Sequence, residues 1–309
     1  MPTIITRGAM SVNGFGFGYK AAGGTTGTFG IFALGSLTTT REKYTFATDV
    51  VSAATASTVI SRRGSAAGNS TRGIFAIGCS PANCVTTLRN KYTYSTCAVT
   101  AGAAASNASA RGSATGNSTR GIFALGLTTT FSTLRNKYLY ACCSSGAGGA
   151  ARSSSYYGAA AGDSTRGIFQ LGLTSSFIPA LQFDKYTYAC CSVAGGGSAT
   201  NRSCQGSATG NSTRGIFALG RVCCIGASTI RNKYTYASCT VTTATAATVA
   251  SQGGSAAGNS TRGIFALGAL ATTTRNKYTY ATDTVTAGAT GGCSNQGAAT
   301  SNGTCGVNV

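Results

Sequence analysis

The 309-residue chain carries 13 cysteines, 24 lysines and arginines, five acidic residues and no histidine. Without histidine there is no Ser-His or Cys-His dyad. The five acids, Glu42, Asp49, Asp163, Asp184 and Asp283, are too scattered to form an evident acid/base pair. The Gly-rich stretch from Gly14 lacks the Gly-Lys-Ser/Thr ending of a phosphate loop. A zinc site is disfavoured because no Cys-x-x-Cys pair occurs. The expectation is a protein that is not an enzyme and has no cofactor.

Two chemistries remain, thiols and fixed positive charge. Cys97, Cys143, Cys191 and Cys239 each lie six residues after a recurring Lys-Tyr lysine, a place taken by Asp49 and Asp283 in two other copies. Cys142 and Cys190 precede two of them. Cys79, Cys84, Cys223 and Cys224 fall in a variable segment, and Cys204, Cys293 and Cys305 are scattered. An odd total leaves at least one thiol free or intermolecular if the rest pair. Equivalent positions on adjacent repeats lie beyond the Cα separation of about 7 Å that a disulfide tolerates, so bonds would have to join different columns. The leading expectation is disulfides formed after release into an oxidising setting, followed by unpaired thiols acting as small apolar groups.

The net charge is +19, and 16 of the 24 basic residues fall in three columns. One is Arg72, Arg120, Arg166, Arg214 and Arg262. The second is Arg41, Arg89, Arg135, Arg231 and Arg275, and the third is Lys43, Lys91, Lys137, Lys185, Lys233 and Lys277. Set around a ring, such columns are circles of charge able to hold a polyanion or an acidic protein. Alternatively, each strand-end arginine of the first column hydrogen-bonds carbonyls of the neighbouring repeat. Nucleic-acid recognition would want exposed aromatics among these bases, whereas the repeated tyrosines are read as packing between repeats.

The columns exist because one unit recurs. Gly-Ile-Phe segments follow Ser-Thr-Arg at Ser70, Ser118, Ser164, Ser212 and Ser260, with a near-copy at Thr28, and Lys-Tyr segments begin at Lys43, Lys91, Lys137, Lys185, Lys233 and Lys277. From each Lys to the next Ile the interval is 31 residues in all five cases, whereas from Ile to the following Lys it ranges from 12 to 17. All insertions therefore fall in one connection, as expected of surface loops on one face.

Each unit holds a small-residue strand, a buried Gly-Ile-Phe strand, an alternating Lys-Tyr strand and a Val/Thr strand. The Gly-Asn-Ser-Thr phrases at Gly68, Gly116, Gly210 and Gly258 read as tight turns, and their glycosylation sequon is read as incidental. One such unit cannot bury enough apolar surface to offset its ordering entropy, so units must share faces.

The fold class expected is all-β, a single β-propeller of four-stranded blades over residues 1–309. Six repeat blades span 21–60, 61–108, 109–154, 155–202, 203–250 and 251–293. Counting phase outward, 1–20 (strands within Pro2 to Gly14) and 294–309 (strands within Gln296 to Val309) supply the outer and inner strands of a seventh, closing blade. Six blades with loose ends is the alternative. A closed ring leaves no unpaired sheet edge. No apolar run suits a membrane-spanning helix, and the opening lacks the apolar core of a signal peptide, so folding in a cytoplasm without membrane insertion is expected.

The copies of STRGIFALG, RNKYTYATDTVTA and GSAAGN resemble the kelch-like β-propeller repeats of bacteriophage tail and tail-fibre proteins, and the opening MPTIITRGAMSVNGFGFG is similar to the leader of such proteins. The chain departs from ordinary kelch repeats in lacking their double-Gly ending and tryptophan. The resemblance implies a virion structural protein, assembled in the host cytoplasm in a homo- or hetero-oligomeric setting with other virion proteins. Its variable loops would be the contact face, with Phe131, Phe177, Ile178, Arg221 and Ile225 at or near their tips. A propeller module binding a host glycan or a polyanion is the alternative.

Overall fold

The computed structural model describes residues 27–81, 84–222, 226–268 and 273–303, and all of their regular structure is β-strand. The strands form six four-stranded antiparallel sheets, numbered I to VI here, plus two small ribbons. Sheet II has the order Ser65–Gly68, Arg72–Ala76, Arg89–Thr93, Ala98–Ala101. That is the expected sequence of small, Gly-Ile-Phe, Lys-Tyr and Val/Thr strands. Sheets III, IV, V and VI repeat it, beginning at Ser113, Ala159, Ser207 and Ser255. The architecture is propeller-like.

Composition fixes the layering within each sheet. The two inner strands are buried on both faces, which Ala, Gly, Ile and Phe allow; outer strands such as Ala98–Ala101 are largely exposed and rich in Thr, Ser and Ala. Sheet approach is close. A Cβ on Gly121 would lie 2.8 Å from Tyr140 Oη and 2.9 Å from Ala67 Cβ of the preceding sheet, which accounts for glycine ahead of Ile-Phe. The tyrosines of the Lys-Tyr strands are buried, and each joins apolar groups of the sheet before it, as Tyr234 and Tyr236 do with Ala159 and Ile168.

Register separates the two ends of every sheet. Ser65 pairs with Ala76, and Ala76 with Arg89, so the variable connection after Ala76 shares an end with the start of the inner strand. We call this the loop face. The opposite turn face carries the Gly-Asn-Ser-Thr turns and the tight turns that hold the Cys/Asp column.

Each inner strand packs against the inner strands of the sheets before and after it, and Ala298–Ser301 lies against those of both sheet VI and sheet II. Just before each inner strand, one residue adopts a left-handed conformation: Arg63, Arg111, Tyr157, Gln205, Gly253 and Gln296, with φ between 55° and 63°. Their backbones form a cycle, in which Arg111 N–H donates to Arg63 O, Tyr157 to Arg111, Gln205 to Tyr157, Gly253 to Gln205, Gln296 to Gly253, and Arg63 back to Gln296. Six donations return to their starting residue.

The role of the C-terminal strand differs from expectation. Ala298–Ser301 pairs with Phe29–Ala33, Ile31 opposite Thr300, and so supplies the inner strand of sheet I beside Arg41–Thr45 and Val50–Ala54. Phase counting had assigned it to a further sheet with the N-terminal leader. The reason lies in the first repeat, which enters at the Gly-Ile-Phe phase with no small-residue strand of its own among the described residues. The Pro2 to Gly14 part of that expectation lies outside the described residues.

Candidate functional site

The second arginine column does not form a charged surface. Arg41, Arg89, Arg135, Arg231 and Arg275 are at most 2% exposed. Each sits at the start of a third strand and lies over the Gly-Ile-Phe phenylalanine of the next sheet: Arg41 over Phe75, Arg89 over Phe123, Arg135 over Phe169, Arg231 over Phe265 and Arg275 over Phe32, at 4.4–5.0 Å from the ring centroid. Each also donates Nη2 to the polar residue that follows the matching position there, namely Asn90, Asn136, Asp184, Asn276 and Glu42. Stacking on a ring offsets part of the desolvation that burying a guanidinium entails. Burial draws Arg41, Arg89 and Arg231 down to about 10, which leaves them charged at neutral pH. The expectation of a polyanion-binding circle is corrected for this column.

The first column takes its structural alternative. Arg72, Arg120, Arg166, Arg214 and Arg262 donate Nη1 at 2.8–3.0 Å to the carbonyls of Tyr140, Tyr188, Tyr236, Tyr280 and Phe46, each on the next sheet. The turn asparagines bridge the same interfaces. Asn69 Oδ1 accepts from the amides of Thr71 and Arg72, and its Nδ2 donates to Ser118 O of sheet III. Asn117, Asn211 and Asn259 repeat this toward Ser164, Ser260 and Gly27. Their side-chain amides are engaged as turn formers.

On the turn face the Cys/Asp column is left-handed throughout, from Asp49 to Asp283. Lys233 Nζ lies 2.9 Å from Asp283, Lys277 pairs with Asp49, and Lys185 Nζ stands 3.9 Å from Cys239 Sγ. Tyr278 Oη donates to Asp283. Burial works against the Asp283 carboxylate, yet hydrogen bonds from Tyr278 and Lys233 hold it at about 2.

Of the described cysteines, Cys79, Cys84, Cys97, Cys142, Cys143, Cys190, Cys191, Cys239 and Cys293 are free thiols, and Cys204 is buried. The expected disulfides therefore find no bonded pair among the described residues. The column thiols turn toward their own sheets, as Cys143 Sγ does to Tyr140 O and Cys239 Sγ to Tyr236 O, both at 3.8 Å. Cys223, Cys224 and Cys305 lie outside the described residues, as does Ile225.

The loop face is built differently. Phe177 is 66% exposed and Ile178 51%. Phe177 meets Phe131 edge-on at 5.2 Å, Phe131 meets Tyr156 at 4.8 Å, and Tyr156 meets Tyr157 at 4.8 Å. This aromatic strip runs from a loop tip to the left-handed ring. Arg221 lies in a short ribbon with Ser203–Cys204 and Gly226–Ala227 and is not part of the strip. At the inner end of the strip a cavity of about 30 Å3 is lined by Arg63, Arg111, Tyr157, Gln205, Gly253 and Gln296, together with the glycine that follows each. Arg63 Nε donates to Gln296 Oε1 at 2.8 Å, and the Arg111 guanidinium stacks over Tyr156 and Tyr157.

None of these ring residues stood out in the sequence. Their only signal was a position of changing identity immediately before a recurring glycine, at Gly64, Gly112, Gly158, Gly206, Gly254 and Gly297. Among the described residues no three Cys, Asp or Glu cluster as a metal site. No protein-family model matches the chain, and no characterised protein matches it in sequence.

Proposed function

We propose that the chain is a six-bladed β-propeller closed by its C-terminal strand, and that it acts without catalysis as a structural and binding component of a bacteriophage particle. Its partner contacts are made through the loop face. The cycle of six backbone hydrogen bonds and the pairing of Ala298–Ser301 with Phe29–Ala33 support the closed ring. The particle setting is supported by the likeness of the repeats and leader to tail and tail-fibre proteins.

One observation carries the choice of face. Both arginine columns are engaged between sheets, whereas the described basic residues outside the columns, Arg62, Arg63, Arg111, Arg152, Arg202 and Arg221, lie in connections at the loop end, with the exposed Phe177 and Ile178 among them. Exposed apolar side chains set among cations are what a contact surface requires. Hydroxyl-radical footprinting of free protein and of purified particles tests this. Phe177 and Ile178 are expected to lose reactivity in the particle while exposed turn-face residues such as Thr96 keep theirs. Absence of the chain from purified particles, or protection confined to the turn face, refutes the proposal.

A further inference from the structure

The axial end of the loop face has a feature that folding alone does not require. Six residues around the ring are left-handed, a conformation that glycine adopts without steric penalty and that costs other residues roughly 1–2 kcal/mol each. Gly253 is the one position of the six that obeys. The others carry Arg63, Arg111, Tyr157, Gln205 and Gln296, and all five line one cavity. Backbone strain gathered around one cavity points to binding.

The chemistry of the lining is one-sided. It contains two guanidinium groups, two carboxamides and a phenol, and no carboxylate. Asp184 is engaged with Arg135 and Arg152, and Glu42 with Arg275. Arg111 is held over Tyr156 and Tyr157, and its Nε is buried without a hydrogen-bond partner. Gln296 Oε1 accepts from Arg63, which leaves the Gln296 amide N–H groups to donate. Every charged residue that lines the cavity is a cation, so the ligand its charge favours is an anion.

Size narrows the ligand. A cavity of about 30 Å3 takes a carboxylate or about two waters and excludes a sugar ring. Outward from it the strip Tyr157, Tyr156, Phe131, Phe177 leads past the buried Tyr156 to the exposed Phe177, on which a flat apolar ring face can lie. A nucleic-acid strand needs phosphate contacts spaced along a track, whereas this site offers one anion seat and then aromatics.

We infer that the axial cavity is a binding site for a carboxylate-bearing saccharide, a uronic-acid unit whose carboxylate sits between Arg63 and Arg111 and whose neighbouring rings reach toward Phe177 at the outer end of the aromatic strip. This rests on the reading of the loop face as the contact face but not on the particle that carries it.

The test is calorimetry with purified protein and three probes: trigalacturonate, its fully methyl-esterified form, and polyphosphate as a generic polyanion. The free acid is expected to bind at least tenfold more tightly than the ester and to keep most of its affinity from 50 to 150 mM salt, while polyphosphate binding collapses over that range. Arg63→Gly, Arg111→Gly and Tyr157→Gly keep the backbone cycle and remove strain. Each is expected to melt within a few degrees of the parent while losing trigalacturonate affinity tenfold or more. Gln205→Gly, at the same ring, is the milder control. Equal binding of acid and ester, no binding of either, or parent-like affinity in the arginine variants overturns the inference. If trigalacturonate protects Phe177 in footprinting but the arginine variants bind normally, the loop face survives as a contact surface and only the axial site falls. If the arginine variants lose affinity while the loop tips gain no protection in particles, the axial site survives and the wider reading falls.

Discussion

Between sheets V and VI, Arg231 lies over Phe265 at 4.5 Å; between sheets IV and V the same slot holds Phe183, edge-on to Phe217 at 4.9 Å and to Tyr234 at 5.6 Å. The receiving asparagine adjusts. Asn276 accepts from Arg231 and from Thr248 N, whereas Asn232, with no arginine to serve it, still accepts from Thr200 N and donates to Thr200 Oγ1. The slot therefore takes a planar group packed against a phenylalanine, and its charge is secondary. Cations that look like a surface in sequence are mortar between sheets.

What both interfaces share is tyrosine, and that gives the largest expected effect. Burial raises Tyr44, Tyr92, Tyr94, Tyr138, Tyr140, Tyr186, Tyr188, Tyr234 and Tyr278 above their ordinary value. Below pH 10 the phenols are neutral in both states and their contribution is complete. Above it the unfolded chain ionises first, so each tyrosine removes about 1.4 kcal/mol per pH unit. The buried Arg41, Arg89 and Arg231 act in the opposite direction there, but they are fewer. Cooperative unfolding between about pH 10 and 11.5 is expected, with tyrosinate absorbance and loss of β-sheet dichroism rising together. Gradual ionisation near pH 10 in a chain that stays folded would show that the two interfaces do not open as one.

Next comes the interface where the arginine is met by a full charge. Asp184 is inaccessible and holds Arg135 at 2.9 Å and Arg152 at 2.8 Å. Asp184→Ala leaves Arg135 buried and unpaired, an expected loss of about 3–5 kcal/mol by denaturant unfolding. A loss below about 1 kcal/mol would mean that stacking on Phe169 alone suffices.

The slot itself is then exchanged. Arg231→Ala removes the plane covering Phe265 and is expected to cost about 2–4 kcal/mol. Arg231→Phe copies the arrangement of sheet IV and should cost less than about 1.5 kcal/mol. Equal losses for the two would show that the cation, not the flat surface, is what Phe265 needs.

The sequence carried more of this than its charge suggested. The 31-residue interval, the strand order and the placing of all insertions on one connection were legible because buried strands tolerate no slip of register. So was the link from Arg72 to a neighbouring carbonyl, since a strand-end arginine repeating in one setting has few other uses. The Arg/Phe exchange at Phe183 marks a buried slot, because no solvated position prefers both residues, although the column on its own read as charge. The partner of the C-terminal strand was not legible, as Ala-Ala-Thr-Ser carries no signature of whose edge it completes. Nor was the axial ring, where one backbone conformation is shared and every side chain differs.

The smallest effect separates the two occupants of the turn-face column. Cys239 and Asp283 share a left-handed conformation and a lysine from the preceding sheet, Lys185 at 3.9 Å from the thiol and Lys233 at 2.9 Å from the carboxylate. Aspartate tolerates that conformation better than most residues and can take both the lysine and the Tyr234 hydroxyl, as Asp283 takes Lys233 and Tyr278. Cys239→Asp is therefore expected to stabilise by about 0.5–1 kcal/mol at pH 7. The sign with pH follows from Asp283, which is held at about 2 in the folded state. A carboxylate depressed in that way stabilises above the unfolded value near 4 and loses the contribution as pH falls toward 2. Thermal melts of parent and variant should then differ at pH 7 and converge by about pH 2. A gain that persists in acid would come from the backbone preference of aspartate and not from the lysine pair.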